Sequence, residues 1–185
     1  SELGERVAAG TARGTGAKRM KLLDGRAAGG MEQAAGSINC PTVKVDNQVT
    51  LMAQGAGPKL LKLLGDGTDG AKEHAAGAIR NLTINADDQL TLKARGTGPK
   101  LLKLLDEGAA GATEQAAAAI NNITIKDDNQ LTLMAPGARP KLMKLLGGGT
   151  AGAKGPFAAS IRTLTSNPTA QLTLKVPGTA AQTPP

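Results

Sequence analysis

Gly57-Pro58-Lys59-Leu60-Leu61-Lys62-Leu63-Leu64 returns as Gly98-Pro99-Lys100-Leu101-Leu102-Lys103-Leu104-Leu105 and again as Arg139-Pro140-Lys141-Leu142-Met143-Lys144-Leu145-Leu146, each copy 41 residues after the last. A weaker copy, Gly16-Ala17-Lys18-Arg19-Met20-Lys21-Leu22-Leu23, lies one period earlier. A fixed period of roughly 20–50 residues marks a solenoid, in which each unit stacks on the next to bury a face it cannot bury alone. Such arrays present long surfaces rather than enclosed catalytic pockets.

The period divides the 185 residues into units 17–57, 58–98, 99–139 and 140–178, after a degenerate segment 1–16 and before a tail 179–185 that reads as disordered. With one Phe, no Trp and no Tyr, burial falls to Leu, Ile, Val, Met and Ala, and an aromatic platform for stacking bases is excluded. A single Cys excludes an internal disulfide framework and fits a reducing compartment, so the expected location is intracellular, cytoplasmic or organellar. No apolar run approaches the ~18–20 residues of a membrane span. The net charge of +7 is a property of one word. Lys18, Lys21, Lys59, Lys62, Lys100, Lys103, Lys141 and Lys144 belong to the repeated K-x-x-K, and without them the chain stands at −1.

Within a unit, Pro58 suits a first helical turn, where its missing N–H costs nothing. Leu60, Leu61, Leu63 and Leu64 form a broad apolar stripe opposite Lys59 and Lys62. Gly65, Gly67 and Gly70 then interrupt the helix, and Gly29, Gly70, Gly111 and Gly152 recur at one position. A longer helix follows, with Ala75, Ala78, Ile79 and Leu82 on one buried face. Ala116, Ala119, Ile120 and Ile123 repeat that face, as do Phe157, Ala158, Ile161 and Leu164. Pro41 replaces Leu82 and should stop the first long helix early, whereas Pro156 sits where a first turn tolerates it. Gln89-Leu90-Thr91-Leu92-Lys93 alternates and, taken alone, reads as a strand; its copies are 48–52, 130–134 and 171–175.

The order of short helix, Pro-led Leu-rich helix, Gly break and long Ala-rich helix ending in Asn-Leu resembles the armadillo-repeat family in its algal-type form. The likeness runs over 14–178 and is strongest over 55–146. It implies an all-α, right-handed superhelical solenoid and makes the Gln-Leu-Thr-Leu segment a short helix. It also implies that the third helix of each unit lines a concave groove and the second lies on the convex side. Asn81 and Asn122 match the family's groove asparagine, which holds the backbone of an extended peptide; Cys40 and Thr163 replace it in units one and four. Where importin-alpha-like members carry Trp, this chain has Gly36, Gly77, Ala118 and Ala159, so a receptor for lysine-rich import signals is not expected.

Other chemistry is sparse. Gly65-Asp66-Gly67-Thr68-Asp69-Gly70 matches a dinucleotide fingerprint, but a helix precedes it and the pattern returns at Gly147–Gly152, so it reads as an inter-helix break. His74 is the only His and is expected exposed, and Cys40 is expected packed or half-buried. The Asp87-Asp88 and Asp127-Asp128 pairs lack the companions of a calcium loop and suit helix starts. No catalytic residue, metal ligand or cofactor site is expected. The function expected is a non-enzymatic protein-interaction module gripping an extended polypeptide. Its groove residues would be Asn39, Arg80, Asn81, Asn121, Asn122, Arg162 and Thr163. Two alternatives stand beside it. One is a structural subunit embedded in a larger assembly, such as an organelle or photosynthetic complex. The other is docking through the convex Lys59, Lys62, Lys100, Lys103, Lys141 and Lys144, with nucleic acid the lesser partner.

Overall fold

The computed structural model describes residues 18, 20, 21, 23, 28–40, 42, 45–85, 92, 96–125, 141, 143, 144 and 147–166, apart from the side chains at 28, 45, 46, 164 and 165. Segments 1–16 and 179–185 therefore lie outside the described residues. Seven helices are described: α1 (Ala28–Asn39), α2 (Val45–Ala53), α3 (Ala56–Asp66), α4 (Asp69–Leu82), α5 (Thr97–Glu107), α6 (Ala110–Thr124) and α7 (Ala151–Ser166). No strand occurs among the described residues.

The repeated word becomes α3 and α5. Each begins after a glycine in the left-handed region, Gly55 at φ 82° and Gly96 at φ 75°, a conformation that costs other residues dearly. Pro58 and Pro99 then fall in the first turn, where no intrahelical acceptor awaits their missing N–H. Leu60, Leu61, Leu63 and Leu64, with Leu101, Leu102, Leu104 and Leu105, are all buried, each stabilising the fold by about 1.5–3 kcal/mol relative to exposure.

Two layers result. The long helices α1, α4, α6 and α7 lie side by side in chain order, while α3 packs on α4 and α5 on α6. Ile38, Leu60, Ile79, Leu82, Leu101 and Ile120 are fully buried between the layers. Small residues bring the long helices close: Ala75, Ala76 and Ala78 in α4 and Ala116, Ala117 and Ala119 in α6 have no exposed surface. Phe157, the one aromatic, replaces that small residue in α7 and is also fully buried.

Several expectations change or sharpen. The period-two segment is helical where it is described: Gln48–Met52 lies within α2, with Gln48 and Leu51 buried and Val49 59 % exposed. Alternation over five residues is too short to separate a strand from one helical turn and a half. Of its copies, 130–134 and 171–175 lie outside the described residues, as does 89–93 except for helical, buried Leu92. The first long helix ends at Asn39, two positions before the place where α4 ends, as Pro41 requires. Pro156, by contrast, is the sixth residue of α7 and not in its first turn. The Gly152 carbonyl that it leaves without an intrahelical partner lies in an exposed stretch. Ala158 is exposed and Ser160 is buried in its stead, because the 41-residue period equates Ser160, not Ala158, with Ala78 and Ala119. Cys40 is exposed rather than packed, since the helix has ended by then. His74 is half-buried rather than exposed, its ring lying over Gly36 of the preceding long helix.

Candidate functional site

Among the described residues, only α3 and α5 pack broadly on the row of long helices, which leaves a second face of that row open. Along it Asn39, Arg80, Asn121 and Arg162 form one column, one residue per helix, 41 positions apart. Asn39, Arg80 and Asn121 are half-buried and Arg162 is exposed. The guanidinium of Arg80 donates through Nη2 to Asn81 Oδ1 at 3.3 Å, which holds the longer side chain over the column.

Asn81 and Asn122 stand one residue further on and behave differently. Asn81 is 5 % exposed, and its Nδ2 donates back to the preceding unit: to Thr42 Oγ1 at 3.2 Å, Asn39 Oδ1 at 3.3 Å and the Asn39 carbonyl at 3.5 Å. Asn122 repeats the arrangement, donating to the Arg80 carbonyl at 3.0 Å and Thr83 Oγ1 at 3.4 Å. Each amide thus satisfies the carbonyl left open where the previous long helix ends. Gln48 reinforces the first joint, its Nε2 donating to the carbonyls of Thr42 at 2.6 Å and Asn81 at 3.2 Å. The amide donors expected to meet a ligand are spent on the neighbouring unit. Thr163, at the same position in α7, donates to Ala159 in its own helix.

A second ladder joins the opposite ends of the same helices. Thr68 Oγ1 accepts from the Ala71 N–H at 3.1 Å as the N-cap of α4 and donates to Glu32 Oε2 of α1 at 2.9 Å. The Glu32 carboxylate lies against Gly70, Glu73 against Gly111 and Glu114 against Gly152, each so close that a Cβ on the glycine would collide with it. A carboxylate at a helix N-terminus is stabilised by the dipole and the unpaired N–H groups. The recurrent glycine therefore does more than break a helix: it makes room for the preceding unit's glutamate. Both ladders escaped the reading of single units, although Glu32, Glu73 and Glu114 recur at the same period, as do Thr42, Thr83 and Thr124. Because Asn81 meets the C-terminal end of α1 and Glu32 the N-terminal end of α4, adjacent long helices run parallel.

The small residues lie at the helix contacts. Asn39 covers Gly77, at 2.8 Å from where a Cβ would stand, and His74 covers Gly36 at 3.2 Å. An aromatic ring at either place would displace the neighbouring helix.

On the other layer the lysine word divides. In the last three pairs the first lysine reaches back one unit: Lys59 donates to the Met20 carbonyl at 2.9 Å, Lys100 lies over Gly65, and Lys141 pairs with Asp106 at 2.6 Å. The second lysine of each pair, Lys21, Lys62, Lys103 or Lys144, is exposed, and Lys103 pairs with its helical neighbour Glu107 at 3.7 Å. Of the eight lysines, Lys59, Lys100 and Lys141 thus reach the preceding unit, and the other five are exposed.

No protein-family model matches the sequence, and no curated protein matches it. Solved structures do. A computationally designed armadillo repeat protein for modular peptide recognition superposes at TM-score 0.82 with 26% identity, over 88% of this chain and 70% of that one. The fold is an armadillo-type repeat solenoid. A second designed armadillo repeat protein, in complex with the peptide (KR)4, matches this solenoid at TM-score 0.80 and 26% identity over 88% of this chain and 70% of its own. A third designed armadillo repeat protein matches at TM-score 0.74 and 27% identity, over 80% of this chain and 63% of that one. Among the described residues no helix is long and apolar enough to cross a membrane.

Proposed function

We propose that the chain is a non-enzymatic protein-interaction module that binds an extended polypeptide across the open face of its long helices. The observation that carries this reading is the column Asn39, Arg80, Asn121 and Arg162: polar side chains, one per helix, beside the Asn81 and Asn122 joints. Likeness to structures designed for peptide recognition supports it. In this reading Asn39 and Asn121 bond the ligand's backbone, Arg80 and Arg162 meet its side chains, and Asn81 and Asn122 set the register between units. Arg162 closes the column at its last helix, beside Thr163, which stands at the position of Asn81 and Asn122.

Peptides selected from a random display library on the purified chain provide the test, with binding measured by fluorescence anisotropy. The variant Asn39→Ala/Asn121→Ala should weaken binding about tenfold, since each change removes one bond to backbone. Binding that survives it and disappears when Lys62, Lys103 and Lys144 become Gln would move the site to the other layer.

A second reading, a structural subunit of a larger assembly, is favoured by Ile84 and Ile125. They are 69% and 65% exposed at the same position of successive units, where a neighbouring protein would cover them. A chain that stays monomeric and soluble at high concentration in sedimentation would count against it.

A further inference from the structure

We infer that the outer layer carries a second interaction surface: Lys21, Lys62, Lys103 and Lys144 form a row that docks an acidic α-helix of a protein partner, with a carboxylate at about every seventh residue. The row follows from the way the K-x-x-K word divides. Lys59 reaches the Met20 carbonyl, Lys100 lies over Gly65, and Lys141 pairs with Asp106. Each first lysine therefore touches the preceding copy of the word, which sets the four copies side by side; α3 and α5 also pack on one another directly. The second lysines, three positions on, then stand one per copy along the same edge, and all four are exposed.

The fold makes little use of them. Among the described residues Lys21, Lys62 and Lys144 make no ion pair. The Lys103–Glu107 pair is exposed and sets the lysine ahead of the acid, an order that stabilises a helix least. Lys62 and Lys103 also stand before the last turn of α3 and α5, so they do not serve as counter-charges to the helix ends. Yet lysine recurs here in every unit, while the other exposed positions of the same helices change. Gly65, Asp106 and Gly147 share one such position, and Asp66, Glu107 and Gly148 share the next.

The spacing selects the partner. Packed helices lie about 8–10 Å apart, so the row spans about 25–30 Å. In an α-helix, residues about seven apart return to nearly the same face after about 10.5 Å, and flexible lysine stems absorb the difference. Nucleic acid fits less well. A duplex carries one charge per about 1.7 Å, whereas the row offers one cation per unit, with Asp66, Asp106 and Glu107 standing among the lysines. The one aromatic, Phe157, is fully buried and cannot stack on a base.

The test uses fluorescein-labelled, Ala-rich helical peptides of roughly two dozen residues, long enough to span the row. One carries four glutamates about seven apart; another carries them about five apart, which spreads them around the helix; a third has Gln in their place. The seven-spaced peptide should bind about tenfold more tightly than the five-spaced one at physiological salt, since each of four exposed pairs contributes a factor of somewhat under two. Replacing Lys62, Lys103 and Lys144 together by Gln should erase that preference. Replacing Lys59, Lys100 and Lys141 by Gln removes the same charge and should keep it, with far-ultraviolet circular dichroism confirming that both variants are folded. Asn39→Ala/Asn121→Ala should keep it too, so the outcome is separate from that of the groove reading. Equal affinity for both acidic spacings would overturn the inference, because charge alone would then explain binding. So would failure of all three peptides to bind. Tighter binding of duplex DNA or of phosphatidylserine vesicles, lost in the Lys62, Lys103 and Lys144 variant, would assign the row to phosphate instead.

Discussion

Replacing Asn81 by Ala separates a joint from a ligand contact. Its two amide hydrogens reach acceptors in the preceding unit at 3.2–3.5 Å, which amounts to two bonds of about 1 kcal/mol each. Ala is a better helix former than Asn by about 0.5 kcal/mol, and Thr42 keeps its own bond to the Asn39 carbonyl at 2.6 Å, so no buried donor is orphaned there. The net loss is about 1.5 kcal/mol, or about 3–6 °C in Tm for a chain of this size. Asn122→Ala, with bonds of 3.0 and 3.4 Å and a half-buried side chain, should lose about 1 kcal/mol by the same reasoning. Asn121→Ala, on the open face, should leave stability unchanged or raise it by up to about 0.5 kcal/mol. Urea unfolding followed by circular dichroism at 222 nm measures all three, since the chain has no Trp or Tyr to report by fluorescence. If Asn81→Ala proved as stable as Asn121→Ala, the inter-unit ladder would carry no energy and Asn81 would return to the ligand-contacting set.

Gly111→Ala should be nearly neutral alone, because its gain of about 0.5–1 kcal/mol in helix propensity is offset when the Glu73 carboxylate is pushed off the helix start. In a Glu73→Ala background the same change should stabilise by about 0.5–1 kcal/mol, and a double-mutant cycle without that coupling would refute the close approach. Phe157→Ala removes a fully buried ring and should cost about 3–5 kcal/mol, read as a lower urea midpoint. Exposed Cys40 should react with an aromatic disulfide reagent in the folded chain about as fast as in urea; strong protection in the native state would mean that it is packed.

The repeat period, the Pro-led helix and the buried Leu, Ala and Ile positions are legible in the chain because helix burial follows a local periodicity. Leu60, Ile79 and Ile120 are fully buried as that periodicity requires. The Gln48–Met52 segment was not legible, because its one buried face mixes a polar Gln48 with Leu51, and only contact with the next unit rewards burying the amide. The same limit applies to Asn81, Glu32 and Gly70. Single-unit reasoning sees a polar residue on an open face, a surface acid and a helix breaker.

The sequence by itself determined that this is a helical array with a fixed repeat and where its apolar stripes fall, since both depend on residues a few positions apart. Only the tertiary structure decided which polar residues are joints and which face outward. Asn81 and Asn39 are 42 residues apart, as are Asn122 and Arg80, and the partner that satisfies an amide or a carboxylate exists only once one unit has stacked on the next.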